Sequence, residues 1–413
     1  MARRVVRSHH TGVEALTTHE SFFSADARNF RASAIRSFAK LINDPNIISF
    51  AGGVPSPETF PAERIAAIAE RVVRERRNVA LQYGPTRGLP RLTEFIAALC
   101  RERGIAPARS EQVLVTTGSQ QALDLIAHTL LDPGDVVLVE LPTYIGGTAS
   151  FYARSAELEG VAQDDDGIVP ESLREVAARV RASGRRVKLL YTIPNFQNPS
   201  GRLMTQERRA QVLAIAAEHD FLVIEDDPYG ELVYVDGADT TAMKSRDAED
   251  RVLYLGSFSK VLAPGLRCGW ILAPQALVEK LEIAKQAADL CSGMLDQSIV
   301  DELCAAGELP PQIEKVRAFY RGKRGVMIEE LGRHFTGKAT WTSADGGLFT
   351  WVTLHADVDT AARVEDAVRH GIAYIPGAPF FVDGSGRNTM RLTFAKEGDA
   401  NIREGMARLA RLF

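Results

Sequence analysis

The sequence predicts an α/β fold in which helices flank a mainly parallel sheet, together with a smaller α+β domain. The chain has 413 residues, which is more than one ordinary core requires. Short β-branched runs alternate with apolar residues at helical spacing, and this alternation is typical of parallel sheets. We predict sheet strands at 113–117, 136–140, 187–193, 221–225, 251–255 and 268–272, with helices at 120–131, 171–181 and 206–219. In the C-terminal part we predict strands at 348–354 and 390–394 and helices at 361–369 and 400–412.

The smaller domain is predicted to be discontinuous. Residues 29–51 fit a helix and a strand, and Gly52-Gly53-Val54-Pro55 then breaks the chain sharply. We therefore divide the chain into an N-terminal arm (1–28), the N-terminal part of the small domain (29–60), a large domain (61–304) and the C-terminal part of the small domain (305–413).

Charge and composition exclude several classes of function. The formal net charge is −4, so a basic excess for nucleic acid or an anionic membrane is absent and we expect neither partner. The four cysteines form no CxxC pair and the eight histidines are scattered, so no metal site is predicted. Neither a secretory leader nor a membrane-spanning stretch is evident, which predicts a cytoplasmic protein.

Two loops that follow predicted strands carry anion-binding chemistry. Gly118-Ser119-Gln120 opens a helix, where free backbone N–H groups and the helix dipole favour an anion. A glycine turn without a ligand would look the same. The segment 256–267 is more informative, because hydroxyls at Ser257 and Ser259, the amine of Lys260 and the guanidinium of Arg267 lie within one short loop.

Other strand ends add a carboxylate, an amide and aromatic rings. Glu225-Asp226-Asp227 ends a strand and is followed by Pro228 and Tyr229. The carboxyl ends of such strands open on the ligand cleft, but strand parity cannot choose among the three acids, and a solvated turn is an alternative. Asn198 lies in a rigid loop with two prolines, and Tyr144 follows another strand end.

Taken together, these motifs resemble the fold-type I, class I/II aminotransferases that use pyridoxal 5'-phosphate (PLP), especially the branch with 2-aminoadipate and kynurenine aminotransferases. The resemblance runs from about residue 29 to the C-terminus. It implies that Lys260 is the Schiff-base lysine, that Asp226 pairs with the pyridine nitrogen, and that Tyr229 and Asn198 bind the ring oxygen. It also implies a phosphate cup and a stacking ring, formed by Gly118, Ser119, Gln120, Ser257, Ser259 and Arg267 and by Tyr144, respectively.

The same resemblance implies substrate contacts and a partner. Arg391 resembles the arginine that binds the substrate α-carboxylate, with Gly53 and Asn198 beside it. Tyr83 resembles a tyrosine that reaches the cofactor phosphate of the neighbouring subunit, which implies a homodimer with shared active sites. Arg36 occupies the place of an arginine that binds a distal carboxylate, although a solvated helix arginine is the alternative.

The implied activity is ping-pong transamination from an L-α-amino acid, such as 2-aminoadipate or an aromatic or branched-chain amino acid, to a 2-oxo acid such as 2-oxoglutarate. Lys260, Asp226 and Tyr229 are the expected catalytic residues. Another PLP reaction, such as a lyase or decarboxylase reaction, is one alternative, because a fold does not fix its chemistry. A non-catalytic effector-sensing protein is the other, although the residues before Asn29 are too few for a winged helix.

Overall fold

The computed structural model describes residues 19–30, 44 and 46–413. Its main element is an eight-stranded sheet with the order β2-β9-β8-β7-β6-β3-β4-β5. All six predicted sheet strands are confirmed, with bounds that differ by at most two residues. The strands are β1 Ile48–Ser49, β2 Val113–Thr116, β3 Val136–Leu141, β4 Glu157–Asp164, β5 Gly167–Ile168, β6 Val187–Thr192, β7 Leu222–Asp227, β8 Val252–Ser257, β9 Gly269–Leu272, β10 Ala339–Trp341, β11 Phe349–Leu354, β12 Ile372–Ala373, β13 Ile375–Pro376 and β14 Thr389–Thr393.

Helices cover the sheet, and the predicted ones form with small changes of bounds. The segment predicted as one helix at 361–369 is a 3₁₀ turn, Ala361–Arg363, followed by the α-helix Val364–Arg369. The described α-helices are Ala25–Arg28, Ala62–Glu75, Arg77–Ala80, Pro90–Glu102, Ser119–Leu130, Ile145–Tyr152, Pro170–Ala182, Gln206–His219, Gln275–Ala288, Met294–Ala305, Leu309–Phe335, Val364–Arg369 and Asp399–Leu409. Within the described residues, no helix combines the length and the apolar composition that a membrane crossing requires.

A strand from the N-terminal part of the chain pairs with a strand from the C-terminal part. β1 runs parallel to β12, with Ile48 opposite Ile372. A second sheet, in the order β10-β11-β14-β13, lies in the C-terminal part. The helix expected within 29–51 falls largely on 31–43, outside the described residues, and the division into domains stays a prediction.

Four central strands run in the same direction, and this arrangement creates the site. β3, β6, β7 and β8 pair in parallel, so their carboxyl ends lie at the same edge of the sheet. The loops after them carry Tyr144, Asn198, Tyr229 and Lys260. Fully buried strand residues such as Val139, Leu190 and Ile224 hold this part of the sheet between the covering helices.

Candidate active site

A cavity of about 160 Å³ opens at this edge of the sheet. Its walls come from the four strand ends and from the start of the helix Ser119–Leu130. Most of the sequence-predicted cofactor residues line it. The lining residues are Ser119, Gln120, Leu123, Tyr144, Ile193, Asn198, Asp226, Pro228, Tyr229, Ser257, Ser259, Lys260 and Arg267.

The structure resolves which of the three consecutive acids faces the cavity. β7 extends to Asp227, and alternation along the strand turns Asp226 towards the cavity. Asp227 points away and is occupied, because it accepts hydrogen bonds from Arg103 and Asn195 among others. Glu225 accepts backbone N–H bonds from 243 and 244 on the same far side. Asp226 alone of the three supplies a carboxylate to the cavity.

The two carboxylate oxygens of Asp226 have different surroundings among the described residues. Its Oδ2 accepts a hydrogen bond from the Tyr191 hydroxyl at 2.9 Å, whereas its buried Oδ1 has no partner among the described residues. Burial raises the pKa of Asp226 to about 7, and the Tyr191 hydrogen bond opposes that rise. An unpaired, buried carboxylate oxygen favours a protonated nitrogen opposite it.

The Lys260 amine lies inside the cavity with a lowered proton affinity. Its Nζ donates to the carbonyl oxygen of Gly53 at 3.2 Å and lies 5.9 Å from the centre of the Tyr229 ring. Burial, together with the positive charges of Arg391 and Arg267, lowers the pKa of Lys260 to about 8, against the opposing effect of the Asp226 carboxylate. A neutral amine is therefore accessible near neutral pH, as carbonyl chemistry requires.

Residues of the predicted phosphate cup lie near Arg267 at the edge of the cavity. Gly118 has φ 76°, and a Cβ at this position would lie 2.5 Å from the Arg267 Nη2, so glycine is required for the close approach. The Arg267 Nη2 donates to the carbonyl oxygen of Thr117 at 3.0 Å. Ser257 donates to the Ser259 hydroxyl at 2.8 Å, and the buried hydroxyl of Ser119 has no partner among the described residues. Hydroxyls, helix N–H groups and a guanidinium thus converge as a dianion requires.

The guanidinium of Arg391 lies close to Lys260, and its contacts hold it in place. Its Nη1 donates to the Oδ1 of Asn198 at 2.9 Å and its Nη2 to the carbonyl oxygen of Ala51 at 2.8 Å. The guanidinium lies 4.3 Å from the centre of the Phe349 ring, and its buried Nε has no partner within the described part of the chain. Burial lowers the pKa of Arg391 to about 10. Gly53 is also close, since a Cβ there would lie 3.8 Å from the Arg391 Nη2.

Aromatic and amide side chains complete the cavity. Tyr144 precedes the helix Ile145–Tyr152, where Gly146 leaves room for its ring. Tyr229 is buried and packs edge-on against Phe349. Burial raises the pKa of Tyr229, and the hydrogen bond from Asn198 partly opposes this rise. The Gln120 side chain donates to the carbonyl oxygen of Gly146 at 2.9 Å.

Gly53, Gly118 and Arg391 do not line this cavity themselves but contact residues that do, namely Lys260, Arg267 and Asn198. Tyr83 is 78% exposed on the surface and does not line it. The interpretation of Arg36 as a carboxylate-binding residue falls on a position outside the described residues.

Sequence reasoning missed three buried residues that support the site. Tyr191 contacts Asp226, as described above. Glu140 accepts hydrogen bonds from the side chains of Thr192 and Gln197, and burial raises its pKa to about 7. Gln197 precedes Asn198 and ties this loop to Glu140. The sequence did offer a signal for two of the three residues, because Glu140 and Tyr191 lie within apolar strand runs. Polar groups that are buried in this way require hydrogen-bond partners.

The residues present fit PLP. The cup around Arg267 suits its phosphate, the free Oδ1 of Asp226 suits a protonated pyridine nitrogen, and the Lys260 amine suits its aldehyde. Asn198 and Tyr229 suit the ring oxygen between them. The unpartnered buried atoms at Ser119 and Asp226 are the observations that support this fit.

Comparison with known proteins agrees with these observations. Residues 45–409 match the family model described as aminotransferase class I and II. The chain is 42% identical over 392 residues to an aromatic-amino-acid aminotransferase of Thermococcus litoralis, covering 95% of this chain and 94% of that protein. It is 40% identical over 391 residues to a 2-aminoadipate transaminase of Thermus thermophilus, covering 94% and 96%. The crystal structure of Pyrococcus horikoshii kynurenine aminotransferase superposes with a TM-score of 0.91 at 40% identity, covering 96% and 98%.

Proposed function

The chain belongs to the class I and II aminotransferases, and from this premise we propose that it binds PLP covalently at Lys260 and transfers the amino group of an L-α-amino acid to a 2-oxo acid. One observation carries the proposal. The half-buried amine of Lys260, a carboxylate oxygen of Asp226 that has no partner among the described residues, and the guanidinium of Arg267 line the same cavity. These groups suit the aldehyde, the ring nitrogen and the phosphate of PLP.

The bound cofactor would supply an electron sink for the bond that breaks at the substrate Cα. Asp226 would keep the ring nitrogen protonated, since its Oδ1 has no partner in the described part of the chain and its Oδ2 is held by Tyr191. Lys260, once released by the substrate, would move the proton away from Cα as a base. A general base is most efficient when its pKa lies near the working pH, and the Lys260 pKa of about 8 is close to neutral pH. A second oxo acid would take up the amino group by the reverse steps.

Arg391 would bind the α-carboxylate of the substrate. Its Nε is buried and lacks a partner within the described residues, and the Asn198 and Ala51 contacts hold its plane. Arg391 adjoins Lys260 through Gly53, whose carbonyl oxygen accepts from the Lys260 Nζ. A carboxylate at Arg391 would therefore place the neighbouring Cα near the amine.

The relatives suggest substrates with aromatic or long dicarboxylic side chains. One relative is named for aromatic amino acids and another for 2-aminoadipate, and both similarities cover most of the chain. We assign 2-oxoglutarate as the amino acceptor and Arg36 as the contact for a distal carboxylate, because an arginine pairs with such a group bidentately. A panel of amino donors against 2-oxoglutarate ranks these classes directly.

We also assign a homodimeric, cytoplasmic enzyme whose active sites are shared. Apolar or aromatic side chains at Tyr83, Leu81 and Ile283 are 78%, 63% and 59% exposed, which supports a covering partner subunit. The four cysteines are free, which supports a reducing compartment.

Borohydride reduction of the holoenzyme, followed by peptide mapping, tests the function. The expected result is one phosphopyridoxyl group on Lys260, and its absence from Lys260→Ala protein. In a separate sample of unreduced holoenzyme, adding an amino acid without an acceptor should yield pyridoxamine 5'-phosphate in stoichiometric amount. A reducible adduct on another lysine would refute the assignment of Lys260, and release of an olefinic product or CO₂ without the aminated cofactor would refute transamination.

A further inference from the structure

Tyr191 holds one oxygen of the Asp226 carboxylate from behind. Tyr191 lies in β6 opposite Ile224 of β7, so its side chain reaches Asp226 two residues further along. The hydroxyl donates to Oδ2 at 2.9 Å, and both residues are buried. Oδ1 has no partner among the described residues, and Asp226 lines the cavity. The two carboxylate oxygens therefore face different environments.

Packing fixes the position of the Tyr191 ring. Phe151 contacts it edge-on, with ring centres 5.6 Å apart. On another side lies Gly147, where a Cβ would come within 2.6 Å of two ring carbons and 2.9 Å of the hydroxyl oxygen. A larger residue at 147 could not be accommodated without moving the phenol. The hydroxyl is thus held in place by packing as well as by its hydrogen bond.

The Tyr191 hydroxyl is one of two groups that lower the pKa of Asp226 against burial and the charge of Asp227. Burial raises the pKa of Asp226, the hydrogen bond from Tyr191 lowers it, the neighbouring Asp227 raises it and Lys260 lowers it. Once Lys260 is bound to a cofactor aldehyde, it no longer carries a free ammonium group that lowers the pKa of Asp226. Burial raises the pKa of Tyr191 well above its usual range, so the hydroxyl remains a donor. The other titratable groups that interact electrostatically with Asp226 are Glu140 and Tyr229.

We propose that Tyr191 is a positioning residue that keeps Asp226 ionised, with Oδ1 turned to the cavity, so that the ring nitrogen of the bound cofactor stays protonated. This inference rests on the proposed function, because it requires a pyridine nitrogen at Oδ1. The phenol itself does not line the cavity. Its effect passes through the carboxylate, since a hydrogen bond to the charged form of an acid favours that form.

Tyr191→Phe separates the hydroxyl from the ring packing. Each protein is loaded with pyridoxamine 5'-phosphate labelled with ¹⁵N in the ring, and the ¹⁵N chemical shift is followed against pH. We expect the midpoint for loss of the ring proton to fall by about one pH unit in Tyr191→Phe, the usual effect of removing one hydrogen bond to a charged group. A residue that only supports packing would not move this midpoint.

Tyr254→Phe is a matched control. The Tyr254 hydroxyl donates to Oδ2 of Asp227 at 2.9 Å, and Tyr254 is also buried. The same atom is thus deleted next to the carboxylate that faces away from the cavity, and we expect an unchanged midpoint. Equal shifts in the two variants would overturn the inference, and so would the absence of a shift in Tyr191→Phe.

Gly147→Ala provides a second variant in which the hydroxyl is present but displaced. We expect a shift in the same direction as in Tyr191→Phe, and a wild-type midpoint in a folded Gly147→Ala protein would contradict the role of position. Failure of the wild-type protein to bind pyridoxamine 5'-phosphate would refute the proposed function instead. Binding with the ring nitrogen unprotonated at neutral pH would refute only the inference about Tyr191.

Discussion

Arg103 and Asp227 form a buried ion pair in which the Arg103 Nη2 lies 2.8 Å from the Asp227 Oδ2. The side chains of Tyr254 and Asn195 also donate to Asp227. This carboxylate therefore stabilises the back of the sheet, whereas Asp226, one residue earlier, faces the cavity. Neighbouring acids with equal chemistry have different functions because the strand alternates its sides.

Substitution of the two acids should separate stability from chemistry. We expect Asp227→Ala to lower the free energy of unfolding by about 3–5 kcal/mol, since it removes the nearer carboxylate partner of the largely buried Arg103 guanidinium and leaves Glu231 at 3.8 Å. Asp226→Asn should keep most of the stability but slow the chemical step on the order of a hundredfold or more. Urea unfolding and single-turnover kinetics measure the two effects. A slow but fully stable Asp227→Ala protein would reverse the assignment.

The same three acids show where sequence prediction stops. The β-branched run predicts a strand ending at Glu225, but hydrogen bonding continues the strand to Asp227, opposite Gly256. The side that each acid faces depends on this pairing and on Arg103, which comes from the end of a distant helix. Neither is visible in local sequence. The loop 256–267 was predictable because its chemistry lies within one short segment.

The missed strand β4 has a related explanation. Residues Glu157–Asp164 are mostly exposed or half-buried and include four acidic or amide side chains. Such a strand pairs with β3 on one side and with only the two-residue β5 on the other. The apolar pattern that predicts a central strand is therefore weak here. Central strands, buried on both faces, were predicted correctly.

The lowered pKa of Lys260 predicts how cofactor capture depends on pH. Burial places this pKa at about 8, and the neutral amine is the form that attacks the aldehyde. The rate of covalent PLP attachment to cofactor-free protein should therefore rise with pH up to about 8 and then level off. Stopped-flow absorbance measures it. A rate that continues to rise above pH 10, as for an exposed lysine, would show that the amine is not perturbed.

Gln197 should position Asn198 for Arg391. Its Nε2 donates to Glu140 and to the carbonyl oxygen of Pro142 at 3.0 and 2.7 Å. Gln197→Ala frees the loop, so we expect the KM for the amino acid to rise roughly tenfold, the worth of one charge-assisted hydrogen bond, with a smaller change in kcat.

Gln163→Ala is the matched control for that change. The Gln163 side chain contacts the same Pro142 carbonyl at 3.2 Å and accepts a long hydrogen bond of 3.4 Å from Ser200, but it does not reach Glu140. We expect its KM to stay near the wild-type value. If both variants raise the KM equally, loss of any amide side chain near this loop has the same effect, and the specific role proposed for Gln197 is refuted.

Arg36 should matter only for substrates with a distal carboxylate. On that hypothesis Arg36→Ala lowers kcat/KM for 2-aminoadipate by a factor equivalent to about 1.5–3 kcal/mol of transition-state binding. The kcat/KM for phenylalanine or leucine stays nearly unchanged. Steady-state kinetics with both classes of donor decide the matter. Equal losses for dicarboxylic and apolar donors would mean that another residue recognises 2-oxoglutarate.

Subunit mixing tests whether Tyr83 serves the cofactor of the partner subunit. Lys260→Ala protein has no amine for PLP, and Tyr83→Ala protein should be mostly unloaded at low PLP, because a hydrogen bond to its phosphate is missing. In a hybrid dimer, the site that keeps Lys260 would receive an intact Tyr83 from the other subunit. We therefore expect the mixture to recover activity at low PLP, from one site of the two.

A same-site pair controls the mixing experiment. Lys260 lines the cavity and Arg391 lies close to it in the same chain, where Gly53 adjoins both of them. Mixing Lys260→Ala with Arg391→Ala therefore leaves the Lys260-containing site of each hybrid without its arginine, and the other site without its amine. No activity should return, because the neighbouring subunit cannot supply either missing group.

Subunit exchange is verified for both mixtures by native mass spectrometry of isotopically labelled chains. Recovery in neither mixture, with exchange shown, would place Tyr83 outside the shared site, and recovery in both would mean that hybrid formation alone restores activity.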